Sequence, residues 1–174
     1  TDPTLGPISP ELFISIAEDA GLIDRLGQQG LRKACLAACR WPEDIRIAVN
    51  LSPRQFYSKN LVEDILEVLA ETGLAHNRLH LEVTENLMIS NAEEALEQLR
   101  ALQDHGIQIS IDDFGIGYSS LSYFQKFSFN KVKIDRSFIA ELEHSRAAMA
   151  IVTAVVGLAD QLSMAVVAEG VETA

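Results

Sequence analysis

Basic residues are scarce in this 174-residue chain: 14 Lys and Arg stand against 25 Asp and Glu, a formal net charge of −11. That balance argues against a protein that grips polymeric nucleic acid, which needs a basic stripe to displace counterions from phosphates. Cysteine is scarcer still. Cys35 and Cys39 lie four apart in an amphipathic helical pattern, too few and too local for a disulfide framework or a zinc site, and they read as buried thiols. His76, His80, His105 and His144 show no H-x-x-x-H ligand spacing. Long apolar runs are absent: stretches such as Met164 to Ala168 fall far short of the roughly 20 residues of a membrane-spanning helix. Thr1 to Pro10 has no basic region followed by an apolar run, so no signal peptide is expected. No Pro/Gly/Ser linker, low-complexity tract or repeat divides the chain. With 48% hydrophobic residues it can bury a continuous core, and one soluble, cytoplasmic domain without direct membrane insertion is expected.

What is present is a βα rhythm. Strands are predicted at Ile45 to Asn50, Leu79 to Thr84, Ile107 to Asp113, Lys131 to Asp135 and Met164 to Glu169. Helices are predicted at Pro10 to Ala20, Asp24 to Ala38, Leu61 to Thr72, Ala92 to His105, Ser119 to Phe124 and Ser145 to Leu162, with Gly21, Gly73 and Gly106 as stops. Alternation of this kind implies an α/β fold around a parallel sheet.

Strand parity carries the functional signal. Ile107, Ile109 and Ile111 share one face while Gln108, Ser110 and Asp112 share the other; Leu79, Leu81 and Val83 oppose His80, Glu82 and Thr84; Val132 and Ile134 oppose Lys131, Lys133 and Asp135. Apolar faces belong under helices, because leaving them in water forfeits about 25 cal/mol per Å². Polar faces then point into a barrel whose C-terminal mouth carries the chemistry. Each polar set ends in a group of that kind: Asn50, Glu82, Asp112 and Asp113, Lys133 and Asp135, Glu169. Singly these are ordinary cap, turn or ion-pair residues; five strands ending alike are not.

An amide and several carboxylates on one rim suit hard ions such as Mg2+ or Mn2+. Two ions about 3.5 to 4 Å apart, shared by adjacent aspartates, are the arrangement for in-line displacement at phosphorus. Phosphodiester hydrolysis is the natural reaction class, with Lys133 orienting the attacking water and stabilising phosphoryl charge. Gly115 and Gly117 allow a tight loop over the site.

Asn50-Leu51-Ser52, Glu82-Val83-Thr84-Glu85, Asp112-Asp113-Phe114-Gly115-Ile116-Gly117-Tyr118-Ser119-Ser120-Leu121, Lys133-Ile134-Asp135 and Ala168-Glu169-Gly170-Val171-Glu172-Thr173 are motifs by which the chain resembles the EAL-domain family of cyclic di-GMP phosphodiesterases. Pro10, Phe13-Ile14, Ala17-Glu18 and Gly21-Leu22-Ile23 are spaced as in that family, so the resemblance spans residues 1–174 as one partial domain. It implies a TIM-like (β/α) barrel, here incomplete, lacking the first strand and the last βα units. It implies that Asn50, Glu82, Asp112, Asp113 and Glu169 ligate two Mg2+ or Mn2+ ions, with Asp112 bridging. Lys133 positions the nucleophilic water beside Asp135, Glu85 holds the loop after the aspartate pair, and Glu172 supports the site from the rim. The implied reaction converts cyclic di-GMP to linear pGpG, in a homodimer joined to sensor or cyclase domains. Two departures stand out: the namesake Glu-Ala-Leu, whose glutamate binds metal, is absent, and the chain stops before the Asp-x-x-Gln-Gly-Tyr-like segment. Ser128 and Asn130 replace a common Pro and Asp. Rival readings are a receptor that binds cyclic di-GMP without hydrolysis, and a structural or dimerisation module using Ser145 to Leu162.

Overall fold

β-branched and leucine side chains at alternate positions build five strands, β1 (Ile47–Leu51), β2 (Leu79–Thr84), β3 (Gln108–Phe114), β4 (Lys131–Ile134) and β5 (Ala165–Ala168). The computed structural model of the chain describes residues 6–85, 87, 92–115 and 122–171. All four strand pairings are parallel, in the order β1-β2-β3-β4-β5. Strict sequential order with right-handed crossovers puts every connecting helix on one face, the arc of a (β/α) barrel and not a doubly wound sheet, whose order reverses. Among the described residues the arc does not close; β1 and β5 are its edges.

The helices are α1 (Pro10–Asp19), α2 (Ile23–Ala38), α3 (Leu61–Thr72), α4 (Ala92–Asp104), α5 (Ser122–Lys126), α6 (Arg136–Ala140) and α7 (Arg146–Gln161). In α3 the buried positions Leu61, Ile65, Val68 and Leu69 follow the 3.6-residue period, and Gly73 at φ +73° ends the helix, donating to the Leu69 carbonyl at 2.9 Å. Ser145 caps α7, its side chain accepting from the Ala148 N–H at 3.2 Å. These helices bury one face against Leu79, Leu81, Val83, Ile109, Ile111, Val132 and Ile134, forming one continuous core.

Helix and strand limits agree with the sequence reading to within two residues wherever both can be compared. The small offsets are instructive. β1 starts at Ile47 because Ile45 lies in a turn whose carbonyl accepts from Arg78 Nε at 2.9 Å. β4 stops at Ile134 because Asp135 leaves the sheet to cap α6. Cys35 is buried, but Cys39 is exposed, against the expectation of two buried thiols. The predicted helix Ser119 to Phe124 is found as α5; residues 119–121, with Gly117 and Glu172, lie outside the described residues.

Candidate active site

The register places Asn50 beside Glu82 and Thr84 beside Asp112, so β1, β2 and β3 present their polar ends at one rim. Lys133 from β4 enters the same space. Its Nζ lies 3.0 Å from Glu82 Oε2, 3.0 Å from Asp112 Oδ2 and 2.6 Å from Glu169 Oε1. Glu82 and Asp112 are buried and Lys133 half-buried. Burial would depress the ammonium, but hydrogen bonds to Glu169, Glu82 and Asp112 outweigh it and hold its proton affinity above that of an ordinary lysine. Lys133 is therefore a fixed cation.

Asp113 arrives by a different route. Simple alternation puts it on the helix-facing side with Ile109 and Ile111. Between the pairs Ile111–Val132 and Phe114–Ile134, however, β3 holds one residue more than β4, and Asp113 takes φ +53°. This bulge re-aims the strand, and aspartate is among the few side chains that tolerate positive φ. Oxygens of Asp112, Asp113 and Glu169 then lie within 4.8 Å of one another. Burial and the charges of Asp112, Asp135 and Glu169 raise the Asp113 carboxyl above its ordinary range, with Lys133 opposing them.

Glu169 is fixed by its backbone, whose N–H donates to the Ile134 carbonyl at 3.1 Å. Gly170 follows at φ +74°, where a Cβ would come 2.7 Å from Arg136 Cβ. Glu85 is buried and accepts from the Gly115 N–H at 3.2 Å. Asp135 is a helix cap: its Oδ1 accepts from the Ser137 hydroxyl at 2.5 Å and from the Ser137 N–H at 2.8 Å, and the hydroxyl first, then the N–H, keeps its carboxyl below the usual range.

Asn50 is exposed and lines a cavity of about 680 Å³ with Asp112 and Asp113. Phe13, Ile14 and Glu18 of α1 form another wall. The structure thus gathers Asn50, Glu82, Asp112, Asp113, Lys133 and Glu169 at one mouth, with Glu85 and Asp135 supporting adjacent turns. Sequence reasoning assigned no role to Glu18, Ser52 or Phe138. For Ser52 the signal was present, since Ser52-Pro53-Arg54-Gln55 is a capping box; for Phe138, packed on Gly115, there was none.

An all-oxygen donor set fits a hard divalent cation. Glu82, Asp112, Asp113 and Glu169 bring four formal negative charges against one ammonium, leaving three when all are ionised, and the raised Asp113 carboxyl registers that excess.

The sequence model of the EAL domain matches residues 1–174. Cyclic di-GMP phosphodiesterase NbdA of Pseudomonas aeruginosa is 40% identical over 175 residues, 98% of this chain and 22% of that protein. The solved MucR phosphodiesterase of the same organism, in complex with c-di-GMP, superposes with a TM-score of 0.92 at 42% identity, covering 99% of this chain and 71% of that one. Klebsiella pneumoniae BlrP1, with calcium and c-di-GMP, gives 0.84 at 34% identity, covering 95% and 42%; it is also known with manganese. The chain spans about a fifth to a quarter of the curated relatives it matches, 21%, 21% and 25% for three of them.

Proposed function

The chain belongs to the EAL domain family, and on that premise we propose that residues 1–174 are part of a divalent-metal-dependent phosphodiesterase domain that opens cyclic di-GMP to linear pGpG. The observation that carries the reading is the convergence of three carboxylates within 4.8 Å beside a lysine bonded to three acids. Asn50, Glu82, Asp112, Asp113 and Glu169 would hold two Mg2+ or Mn2+ ions. When bound, such ions supply Lewis acidity at the phosphoryl oxygens and acidify water.

The chain's own residues do the rest. Water oxygen attacks phosphorus, the bond from phosphorus to the ribose 3′ oxygen breaks, and the water's proton ends on that oxygen, leaving a 5′ phosphate on the linear product. Lys133, bonded to Glu82, Asp112 and Glu169, would act as a hydrogen-bond donor that orients the water and stabilises equatorial oxygen charge. Glu85 holds the turn at Gly115; Asp135 adds negative charge near Asp113; the family resemblance gives Glu172, outside the described residues, a supporting role. The same premise gives a cytoplasmic homodimer linked to sensor or cyclase modules, a linkage supported by MucR, a bifunctional diguanylate cyclase and phosphodiesterase. No helix among the described residues is long and apolar enough to cross a membrane.

The test is chromatographic release of pGpG from cyclic di-GMP by the full-length protein with Mn2+, repeated with Glu82→Gln and Asp112→Asn. Losing several kcal/mol of transition-state stabilisation, each variant drops turnover on the order of a hundredfold or more. Full turnover in both would overturn the ligand set. Tight binding without turnover in the wild type would assign the chain to the receptor reading.

A further inference from the structure

We infer that Glu18, on α1, is a positioning residue that sets the Asn50 end of the site. Ser52 donates its hydroxyl hydrogen to Glu18 Oε1. Arg54 donates to the Glu18 carbonyl at 3.0 Å and to Asp19 Oδ1 at 3.4 Å. Ser52 is itself locked: its N–H donates to Gln55 Oε1 at 3.0 Å, and its Oγ accepts from the Arg54 N–H at 3.2 Å. Gln55 is buried against Gly27 of α2, where even a Cβ would collide with its amide. The turn after β1 is therefore wedged between α1 and α2, two residues from Asn50.

Asn50 needs such a brace. It stands at the end of β1, two residues before Ser52, and among the described residues nothing bonds to its amide. Its direction is set by the backbone on either side, and the Glu18–Ser52 hydrogen bond fixes that backbone from the rim. Glu18 also lines the cavity that Asn50, Asp112 and Asp113 line, so a shift of α1 is transmitted to the mouth directly. The inference rests on the proposed reading of Asn50 as a metal ligand.

It is tested on the full-length protein with Glu18→Ala, Glu18→Gln, Ser52→Ala and the double alanine variant. Two readouts are needed: Mn2+ binding by calorimetry without substrate, and kcat and KM on cyclic di-GMP. Glu18→Ala and Ser52→Ala each weaken Mn2+ binding and lower kcat about tenfold, the usual scale for a group that orients a ligand, with KM little changed. The double variant is no worse than either single one. Glu18→Gln keeps an acceptor for Ser52 and restores most of both values. Wild-type Mn2+ affinity in Glu18→Ala, independent multiplication in the double variant, or a rise in KM alone would overturn the inference. Should Glu18→Ala fail to fold, Ser52→Ala carries the same measurement. A wild type that binds Mn2+ without turnover refutes the hydrolase reading while the calorimetry still decides Glu18; one that binds no Mn2+ overturns both.

Discussion

His80 is 5% exposed on β2, and neither ring nitrogen has a hydrogen-bond partner among the described residues. Burial, with the nearby cations Lys131 and Arg46, pushes its pKa from 6.5 down to about 4. Folded, the ring binds its proton more weakly than unfolded; as pH falls, the unfolded chain protonates first. Stability is therefore full above 6.5 and lost progressively toward 4, by up to about 3 kcal/mol at roughly 1.4 kcal/mol per tenfold change in proton affinity. Urea unfolding in EDTA at stepped pH shows this slope, and His80→Leu flattens it; an unchanged slope in the variant would refute the assignment. The sequence put His80 on the polar face with Glu82 by parity alone. It could not show that one becomes a buried neutral ring and the other a lysine partner, since that depends on which neighbouring strands contribute cations. Lys133 makes the same point: the sequence supplied its place at a strand end, while its three carboxylates come from positions 51, 21 and 36 residues away.

Elements were legible where periodicity was long. α3 and β2 have the predicted limits because four buried positions at helical spacing, or three at alternate ones, leave little room for another reading. α6 has five residues, too few to show a period. The β3 bulge was illegible for a different reason: one extra residue in an unbroken Ile-x-Ile-Asp-Asp-Phe run has no composition of its own. Its consequence is nonetheless decisive, since it turns Asp113 toward Asp112. The turn that ends the bulge depends on Gly115, at φ +103° with the Phe138 ring so close that a Cβ would sit 2.9 Å from it. Gly115→Ala meets both backbone strain and that ring, at a cost of about 1–3 kcal/mol. It also loosens the Gly115–Glu85 hydrogen bond that holds the turn. Denaturation midpoints and turnover of the variant should fall together; a stable variant with normal kcat would show that this turn does not position Asp113.

At the scale of the whole molecule, the sequential parallel order was readable from the βα rhythm, and the barrel-like arc follows from it. The meeting of acids could only be inferred from strand ends, because register and bulge decide which carboxylates touch. Their meeting has a thermodynamic consequence. Glu82, Asp112 and Glu169 stand at the ends of β2 and β3 and just after β5, and the core they crown is one continuous cluster. An ion held among them ties together segments far apart in the chain, so its binding energy opposes unfolding of the whole sheet and not only the fraying of one loop. Binding to the folded state alone stabilises by about 2.7 kcal/mol at a hundredfold excess over Kd. Mn2+ or Mg2+ should therefore raise the Tm of the transition in which this domain unfolds within the full-length protein, EDTA should reverse it, and Asp112→Asn should blunt it. Sodium at matched ionic strength supplies only screening, so an equal rise with sodium, or none with either divalent ion, would show that the acids repel one another in the fold without forming a metal site.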